Sequence, residues 1–118
     1  MKFNENIPIY LQIKEEIEKA IITKSIKEED KIQSIRTLAQ QYRLNPQTIS
    51  SAVSELINEG ILYKKRGIGL FVNKGAQQEL KKKKSAEFRK IELQKIIKKG
   101  KNLGIDKNEF FKVIEQIY

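Results

Sequence analysis

The apolar residues in the middle of the chain recur at helical spacing in two successive segments. The first segment follows Ser34, a residue type whose hydroxyl can accept a hydrogen bond from an unpaired amide at a helix start. Its apolar residues lie three and four positions apart: Ile35, Leu38, Ala39 and Tyr42. This spacing predicts a two-turn amphipathic helix, and Arg43 and Leu44 then interrupt the pattern.

A second helix is predicted directly after this break. Asn45 is a favoured capping residue, and Pro46 suits the first helical position because proline lacks only an amide hydrogen that would stay unpaired there. Gly60 stands where a left-handed residue is needed to end the helix. The apolar residues between these signals share one face: Ile49, Ala52, Val53, Leu56 and Ile57. Two helices with so short a connection form a helix-turn-helix.

The residues after Gly60 have the pattern of a β-hairpin with a basic tip. Residues 61–62 are apolar, residues 63–66 carry two lysines and an arginine, residues 67–69 contain two glycines, and residues 70–72 are apolar again. The glycines would let the backbone approach a sugar-phosphate strand, and the cations would displace counterions. Because the hairpin follows a helix-turn-helix directly, we interpret it as a wing.

The second helix has a polar face opposite its apolar residues, with no acid before Glu55. Asparagine and glutamine can form paired hydrogen bonds with adenine, and serine or threonine can reach a phosphate or a base edge. Such a face suits a DNA groove, and an ordinary solvated helix face is the alternative. Its residues are Asn45, Gln47, Thr48, Ser50, Ser51 and Ser54.

The composition of the chain limits the classes of function that it can have. The chain has 118 residues, enough for one modest core, and its net charge of +9 favours an acidic partner, nucleic acid before membrane. It contains no cysteine and no histidine, so it lacks thiolate metal ligands and the usual residue for acid-base chemistry near neutral pH. We therefore predict no metal, no cofactor and no enzymatic activity, and we interpret the cluster of Glu15, Glu16 and Glu18 as solvated surface.

These residues together resemble the GntR family of winged helix-turn-helix transcription regulators. The resemblance covers residues 7–73 and implies that Arg36 and residues 45–48 face DNA, with Gly67 at the minor groove. Five pieces carry it: Pro8-Ile9-Tyr10-Leu11-Gln12-Ile13, Ser34-Ile35-Arg36-Thr37-Leu38-Ala39, Asn45-Pro46-Gln47-Thr48, Glu59-Gly60 and Gly67-Ile68-Gly69-Leu70-Phe71-Val72. The predicted DNA-binding residues are Ser34, Arg36, Asn45, Pro46, Gln47, Thr48, Ser50, Ser51, Lys64, Lys65, Arg66 and Gly67.

The chain departs from the family pattern at three places. Glu28-Glu29-Asp30 replaces a usual Pro-Gly-Asp turn, and Gln33 replaces a usual proline. Pro46 and Ser50 occupy positions where some branches of the family carry arginines that read guanine. The fold expectation survives these changes, but the operator sequence of a relative cannot be transferred.

The first domain is predicted to span residues 1–75. A polar arm, residues 1–8, precedes an amphipathic helix, and residues 23–31 form a charged connector to the central stretch. The helix is indicated by the spacing of Tyr10, Ile13, Ile17, Ala20 and Ile21. We expect this helix to pack against the helix-turn-helix.

Residues 76–118 are predicted to form two helices that pair subunits. Residues 77–99 contain no helix breaker, Gly100 and Gly104 bracket a link, and Asp106 begins a last helix with Glu109 three residues on. This part carries +6 of the net charge and resembles the small YtrA-like branch of the family, in which two carboxy-terminal helices form the dimer. The predicted dimerisation residues are Phe88, Ile91, Leu93, Ile96, Phe110, Phe111, Ile114 and Ile117.

The sequence thus predicts a mainly α fold with a small β-hairpin wing and a sequence-specific, DNA-binding transcription regulator. The resemblance implies a dimeric repressor of a nearby operon, such as one for transport. Two recognition helices related by a two-fold axis predict an inverted-repeat operator, and the lack of an apolar run at the amino terminus predicts a cytoplasmic protein. A non-specific nucleic-acid or RNA-binding accessory protein is the alternative.

The expected partners are double-stranded DNA and a second copy of the chain. No membrane partner is expected, because the amino terminus has no apolar run long enough for a signal peptide or a span. A small-molecule effector, if the protein has one, is expected at a seam between subunits or between the long helix and the DNA-binding domain. Lys81 to Lys84 are interpreted as a solvated face, with contact to flanking DNA as the alternative.

Overall fold

The computed structural model describes residues 2–118, which divide into two compact units between Lys81 and Lys82. The fold is mainly helical with one small antiparallel sheet, as the sequence predicts. No helix within residues 2–118 is long and apolar enough to cross a membrane.

The first unit contains three helices in the predicted positions, α1 (Ile9–Ile22), α2 (Ile35–Tyr42) and α3 (Pro46–Asn58). The predicted caps are confirmed. Ser34 Oγ accepts a hydrogen bond from the Thr37 amide at 3.1 Å, and Asn45 Oδ1 accepts one from the Gln47 amide at 2.8 Å. Arg43 ends α2 in the left-handed conformation, which turns the chain from the first helix of the motif into the second.

The sheet has three strands in the order β1, β3, β2, namely β1 (Lys31–Ile32), β2 (Leu62–Lys65) and β3 (Gly69–Val72). The hairpin of β2 and β3 confirms the predicted wing, with two of its cations inside β2 and residues 66–68 as the turn. Strand β1 consists of the last residue of the predicted connector, Lys31, and the residue after it, Ile32. It was missed because two residues show no periodicity, and only pairing with β3 makes them a strand.

Within residues 2–81, sixteen hydrophobic side chains form the core of the first unit. The fully buried Ile13, Ile49 and Leu56 join α1 to α3, and Leu70 and Val72 cover them from the sheet. Two core residues, Ala76 and Leu80, belong to the helix after the wing and are only 2% and 1% exposed. The packed unit therefore includes the first turns of that helix.

The second unit is built on helices. Helix α4 (Ala76–Glu87) leads into a π-helical segment (Phe88–Glu92) and then α5 (Leu93–Asn102), and α6 (Lys107–Ile117) follows a short turn. The capping box predicted from Asp106 and Glu109 is present in both directions, with the Glu109 amide donating to Asp106 Oδ1 at 2.9 Å. The predicted helix pair is confirmed, although the π segment was not foreseen.

Gly100 does not belong to the link between the helices, contrary to the sequence prediction. It lies inside α5 and is buried, because the ring of Phe110 packs against it and a Cβ at this position would collide with the ring. Gly104 is the residue that turns the chain, with φ at +84°. A glycine inside a helix usually weakens it, and here it makes room for an aromatic side chain.

Candidate nucleic-acid interface

Helix α3 buries one face in the core and leaves the other open. Ile49, Ala52 and Leu56 are fully buried, which orients the helix. The predicted polar residues lie on the open side: Asn45, Pro46, Gln47 and Ser54 are exposed, and Thr48, Ser50 and Ser51 are partly exposed. The structure therefore brings the predicted reading face together on one helix.

The hydrogen bonds within this face decide what each side chain can offer to a ligand. Asn45 uses Oδ1 as the helix cap and keeps its two Nδ2 hydrogens for an outside acceptor. Ser51 Oγ donates to the Gln47 carbonyl at 3.0 Å, and Ser34 donates to Thr37 Oγ1 at 2.9 Å while capping α2. The Gln47 side-chain amide makes no hydrogen bond to another of residues 2–118, so both its donor and its acceptor remain available.

A groove of about 540 Å³ lies between α2, α3 and the sheet. It brings together predicted DNA-binding residues from three elements, including Arg36 from α2, Ser50 from α3 and Lys64 from β2. Lys31 of β1 also lines it, and none of its lining residues within the described part of the chain, 2–118, is acidic. The groove therefore combines three cations and the hydroxyl groups of three serines with six apolar side chains, among them Ile35, Val53 and Leu70.

A second depression, of about 270 Å³, lies at the amino-terminal end of α3. Gln47, Thr48 and Ser51 line it together with Ile9 and Tyr10 of α1. The polar face of α3 is thus divided, with one edge facing the wing groove and the other facing the start of α1. The sequence did not show this division, because it depends on how α1 packs across α3.

The cations of the wing are not equivalent. In the sheet, Lys64 is paired with Leu70 and so lies on the core side, while Lys65 is paired with Gly69 on the outer side. Lys65 Nζ lies 5.0 Å from the centre of the Phe71 ring, which in turn stacks on Tyr63 with 5.6 Å between ring centres. Only Lys64 of the two lysines lines the groove.

The turn of the wing contains the remaining predicted residues. Arg66 and Gly67 are exposed, and Gly67 has φ at +79° with open space where a Cβ would lie. Gly69, by contrast, is covered: a Cβ there would be 2.8 Å from Lys31 Cε. The sequence suggested one role for both glycines, but only Gly67 offers free backbone to a ligand.

Helix α3 is held at its carboxyl end by Lys14 of α1. Lys14 Nζ lies 2.5 Å from a Glu59 oxygen and 3.8 Å from a Glu55 oxygen. Burial by itself lowers the pKa of Lys14, but the hydrogen bond and charge of Glu59, with the charges of Glu18 and Glu55, raise it above its usual value. The ion pair fixes the end of the helix remote from the reading residues.

The predicted dimerisation residues all lie in the second unit. Phe110 and Leu93 are partly buried, and Phe110 packs on Gly100 within the same chain. The others are between 44% and 78% exposed: Phe88, Ile91, Ile96, Phe111, Ile114 and Ile117. Across residues 88–92 the π helix carries more residues per turn than an α-helix, so side-chain directions inferred at 100° per residue do not hold there.

A helix-turn-helix followed by a β-hairpin, with the second helix presenting exposed polar side chains, defines a winged helix-turn-helix DNA-binding protein. Residues 9–72 match the model of the gntR family of bacterial regulatory proteins. The chain therefore belongs to this family, as its motifs indicate. It is a sequence-specific DNA-binding regulator of transcription and not an enzyme.

Two relatives from Bacillus subtilis strain 168 extend the similarity beyond the winged unit. The uncharacterized HTH-type transcriptional regulator YhcF is 35% identical over 97% of this chain and 93% of its own length. The HTH-type transcriptional repressor YtrA is 31% identical over 93% of this chain and 84% of its own length. The predicted membership of the small YtrA-like branch is thereby confirmed.

Two solved structures are also similar to this chain. A GntR family transcriptional regulator from Listeria monocytogenes matches 98% of this chain and 100% of its own, with 28% identity and a TM-score of 0.77. The DNA-binding domain of AraR, solved in complex with the operator ORE1, matches 60% of this chain and 89% of its own, with 34% identity and a TM-score of 0.55.

Proposed function

We propose that the protein is a cytoplasmic, homodimeric repressor that controls a nearby operon, such as one for transport, by binding an inverted-repeat operator. The observation that carries the DNA-binding role is the exposed amino-terminal half of α3, which displays Asn45 and Gln47, while a groove with three cations lies along the edge of the helix that faces the wing. AraR, whose DNA-binding domain resembles the first unit, is an operator-binding protein, and YtrA is a repressor. Both support the proposal.

Sequence discrimination is assigned to Arg36 and to the face formed by residues 45–51. Base edges carry sequence information and phosphates do not, so side chains with free paired donors and acceptors are the readers. Gln47 meets this requirement, because its amide is exposed and unused. The wing cations Lys64, Lys65 and Arg66 contribute affinity for the backbone, with Gly67 permitting close approach at the minor groove.

Dimerisation is assigned to the second unit. Large hydrophobic side chains on α5 and α6 are about half exposed or more, among them Ile96, Ile114 and Ile117. Exposed apolar area of this kind is typical of a protein interface. A two-fold pair would place two α3 helices in successive major grooves, which requires an inverted repeat with half-sites about one or more helical turns apart.

A small-molecule effector, if one acts on the protein, is assigned to the seam between subunits. Typical ligand sites are cavities of roughly 300 to 1,000 Å³ that bury most of the ligand. The short helices of the second unit enclose no core of their own, since Gly100 is the only buried residue within residues 82–118. Phe110 and Phe111 would line such a seam in the dimer.

The test is selection of bound duplexes from a random library by the purified protein, followed by affinity measurements on the selected sequence and on random DNA. We expect an inverted-repeat consensus. Gln47→Ala should cost about 1 to 3 kcal/mol on the selected duplex and less on random DNA. Lys65→Ala should weaken both alike. Selection without any consensus would contradict the proposal and favour the non-specific alternative.

A further inference from the structure

We propose that each copy of the protein packs its helix α6 on helix α5 of the other copy, along an apolar stripe that the π-helical segment extends to Phe88. The inference rests on the proposed dimer and deepens it, because it names the two surfaces that meet. It differs from the simpler arrangement in which α5 packs on α5 and α6 on α6. The α5 stripe consists of Phe88, Leu93, Ile96 and Gly100.

The π-helical segment brings Phe88 into line with α5. The four residues of the α5 stripe are five, three and four positions apart, whereas one face of a regular helix has steps of three and four. A π turn takes up one additional residue, and the segment Phe88–Glu92 fills the step of five. In a continuous α-helix Phe88 would lie about 120° from Gly100 around the axis, and the π turn reduces this angle to about 20°. The spacing by itself also fits an α-helix with apolar side chains on two sides, so only the structure gathers them on one.

Within one chain, α6 meets the α5 stripe at its last residue. The Phe110 ring packs on Gly100, but Ile96, one turn earlier, stays more than half exposed. On α6, Ile114 and Ile117 follow Phe110 at steps of four and three, and both are half exposed or more. These three residues form the α6 stripe. Each chain therefore keeps exposed apolar side chains on both helices.

The charges beside the two stripes favour the pairing of α5 with α6. Helix α5 carries four lysines and no acid, and Lys99 and Lys101 flank its stripe. Two α5 helices packed on each other would bring these lysines together, and like charges repel. Helix α6 carries two glutamates and two lysines, and Glu109 and Glu115 flank its stripe. An α6 helix of the second copy therefore offers opposite charges to the flanks of α5, as helices in coiled coils do.

The exposed apolar area is large enough for a second copy of the chain. Eleven large hydrophobic side chains between residues 88 and 118 are exposed. A fully exposed large side chain presents about 150 to 250 Å², so these side chains, most of them near half exposed, present roughly 1,000 Å² on each copy. A stable interface buries about 800 Å² on each partner. The second unit can supply this area from apolar side chains alone.

The first experiment mixes two variants of the full chain. Ile96→Lys places a charge in the α5 stripe, and Ile117→Glu places one in the α6 stripe. Each variant alone carries a charge in both α5–α6 interfaces of its dimer, so each should be monomeric where the wild type is dimeric. In an equimolar mixture, one interface contains no substitution and the other contains both opposite charges, so heterodimers should form. Sedimentation, and capture through a tag on one variant, measure this.

The second experiment compares deletion of Lys90 with deletion of Gln94, each of which removes one exposed polar residue from the same long helix. Without Lys90 the α5 stripe has steps of four, three and four, which a regular α-helix keeps on one face, so the dissociation constant of the dimer should stay within about threefold of the wild type. Without Gln94 the steps are five, two and four, and dimerisation should weaken by about tenfold or more. Phe88→Ala changes no spacing and should also weaken dimerisation by about tenfold, which keeps the test informative if the Gln94 deletion folds poorly.

The results separate this inference from the proposed function. A wild type that is monomeric while it binds DNA contradicts the proposed dimer itself. If the wild type is dimeric but the two variants stay monomeric when mixed, like helices pair and the exchange of α6 is wrong. If neither variant weakens its own dimer, the second copy binds elsewhere and the two stripes are not the interface. If deletion of Lys90 abolishes dimerisation, the π-helical segment does not align Phe88 with the α5 stripe.

Discussion

The two units of the protein differ in the exposure of their apolar side chains. Within residues 2–118, all sixteen buried hydrophobic side chains lie between Ile13 and Leu80, in the first unit. Eleven of the fourteen exposed large hydrophobic side chains in the same range lie between Phe88 and Tyr118, in the second unit. The first unit therefore has a closed core and offers polar surface to a partner, whereas the second leaves apolar surface uncovered.

This difference assigns the two units to different partners. A unit whose apolar faces are already covered can use its polar and cationic side chains for an anionic polymer. A unit whose apolar faces are exposed gains free energy only when another apolar surface covers them, at roughly 25 cal/mol for each Å² removed from water. We propose that a second copy of the same unit supplies this surface.

The largest expected effect comes from removing the second unit. A protein that ends at Lys84 keeps Ala76 and Leu80 in its core, so it should remain folded and become monomeric. Its affinity for the full operator should fall by about 10²- to 10⁴-fold, because the two recognition helices are no longer linked. Sedimentation and DNA titration measure both properties.

A matched truncation controls for the packing of α4. A protein that ends at Gly75 also lacks Ala76 and Leu80, and it should melt at a lower temperature than the protein that ends at Lys84. If the Lys84 truncation stays dimeric and binds the full operator as tightly as the whole chain, the second unit is not the dimerisation element.

Core and surface substitutions should differ in how they depend on protein concentration. Leu56→Ala should cost about 2 to 5 kcal/mol of stability at any concentration, because Leu56 is fully buried within one chain. Ile117→Ala, at a side chain 78% exposed, should act mainly through dimerisation. Urea denaturation at two protein concentrations distinguishes them, and a concentration-independent loss for Ile117→Ala would argue against a subunit interface there.

Gly100→Ala tests the packing inside the second unit. An alanine in a helix interior is normally about 1 kcal/mol better than glycine, but here its methyl group meets the Phe110 ring. We expect a net loss of about 1 to 3 kcal/mol. Adding Phe110→Ala should recover part of this loss relative to the sum of the two single changes. Strictly additive effects in thermal melts would show that the two residues do not contact each other.

The smallest effect is expected at alkaline pH. The pKa of Lys14 is raised above 10.5, and that of Tyr42 is raised above 10.0, chiefly by burial and secondarily by Glu16. In both cases the folded state holds the proton more tightly. The stabilisation is therefore complete below the unfolded pKa and is lost as pH rises through the folded one.

Melting temperatures should thus be steady up to about pH 10 and fall above it. The Lys14 ion pair should contribute less than about 1 kcal/mol to this loss in the free energy of unfolding. Lys14→Met should show a smaller decline over the same range. An identical decline in this variant would mean that other groups govern the alkaline loss.

Elements with strong local signals were predictable. The caps Ser34 and Asn45, the proline at the start of α3 and Gly60 at its end act on neighbouring residues, so their effect can be inferred without the fold. The same holds for the capping box at Asp106. The positions assigned to DNA contact remain predictions, although the structure places them on one helix, one turn and one hairpin.

Features that join distant parts of the chain were not predictable. Strand β1 exists because Lys31 and Ile32 pair with β3, and two residues give no pattern of their own. Gly100 looked like a helix end, because the sequence could not show that Phe110 fills its place. The π-helical segment was missed for a similar reason, since no local spacing distinguishes it from an α-helix.

The sequence by itself determined which segments form helices, where the wing lies and that the protein favours an anionic partner, because capping, apolar spacing and net charge are properties of neighbouring residues or of the whole composition. Only the tertiary structure decided which cations meet. It separates Lys64 from Lys65 by the alternation of the strand and brings Lys64 to the same groove as Arg36. Such placements depend on pairing between strands far apart in the chain, which no local pattern encodes.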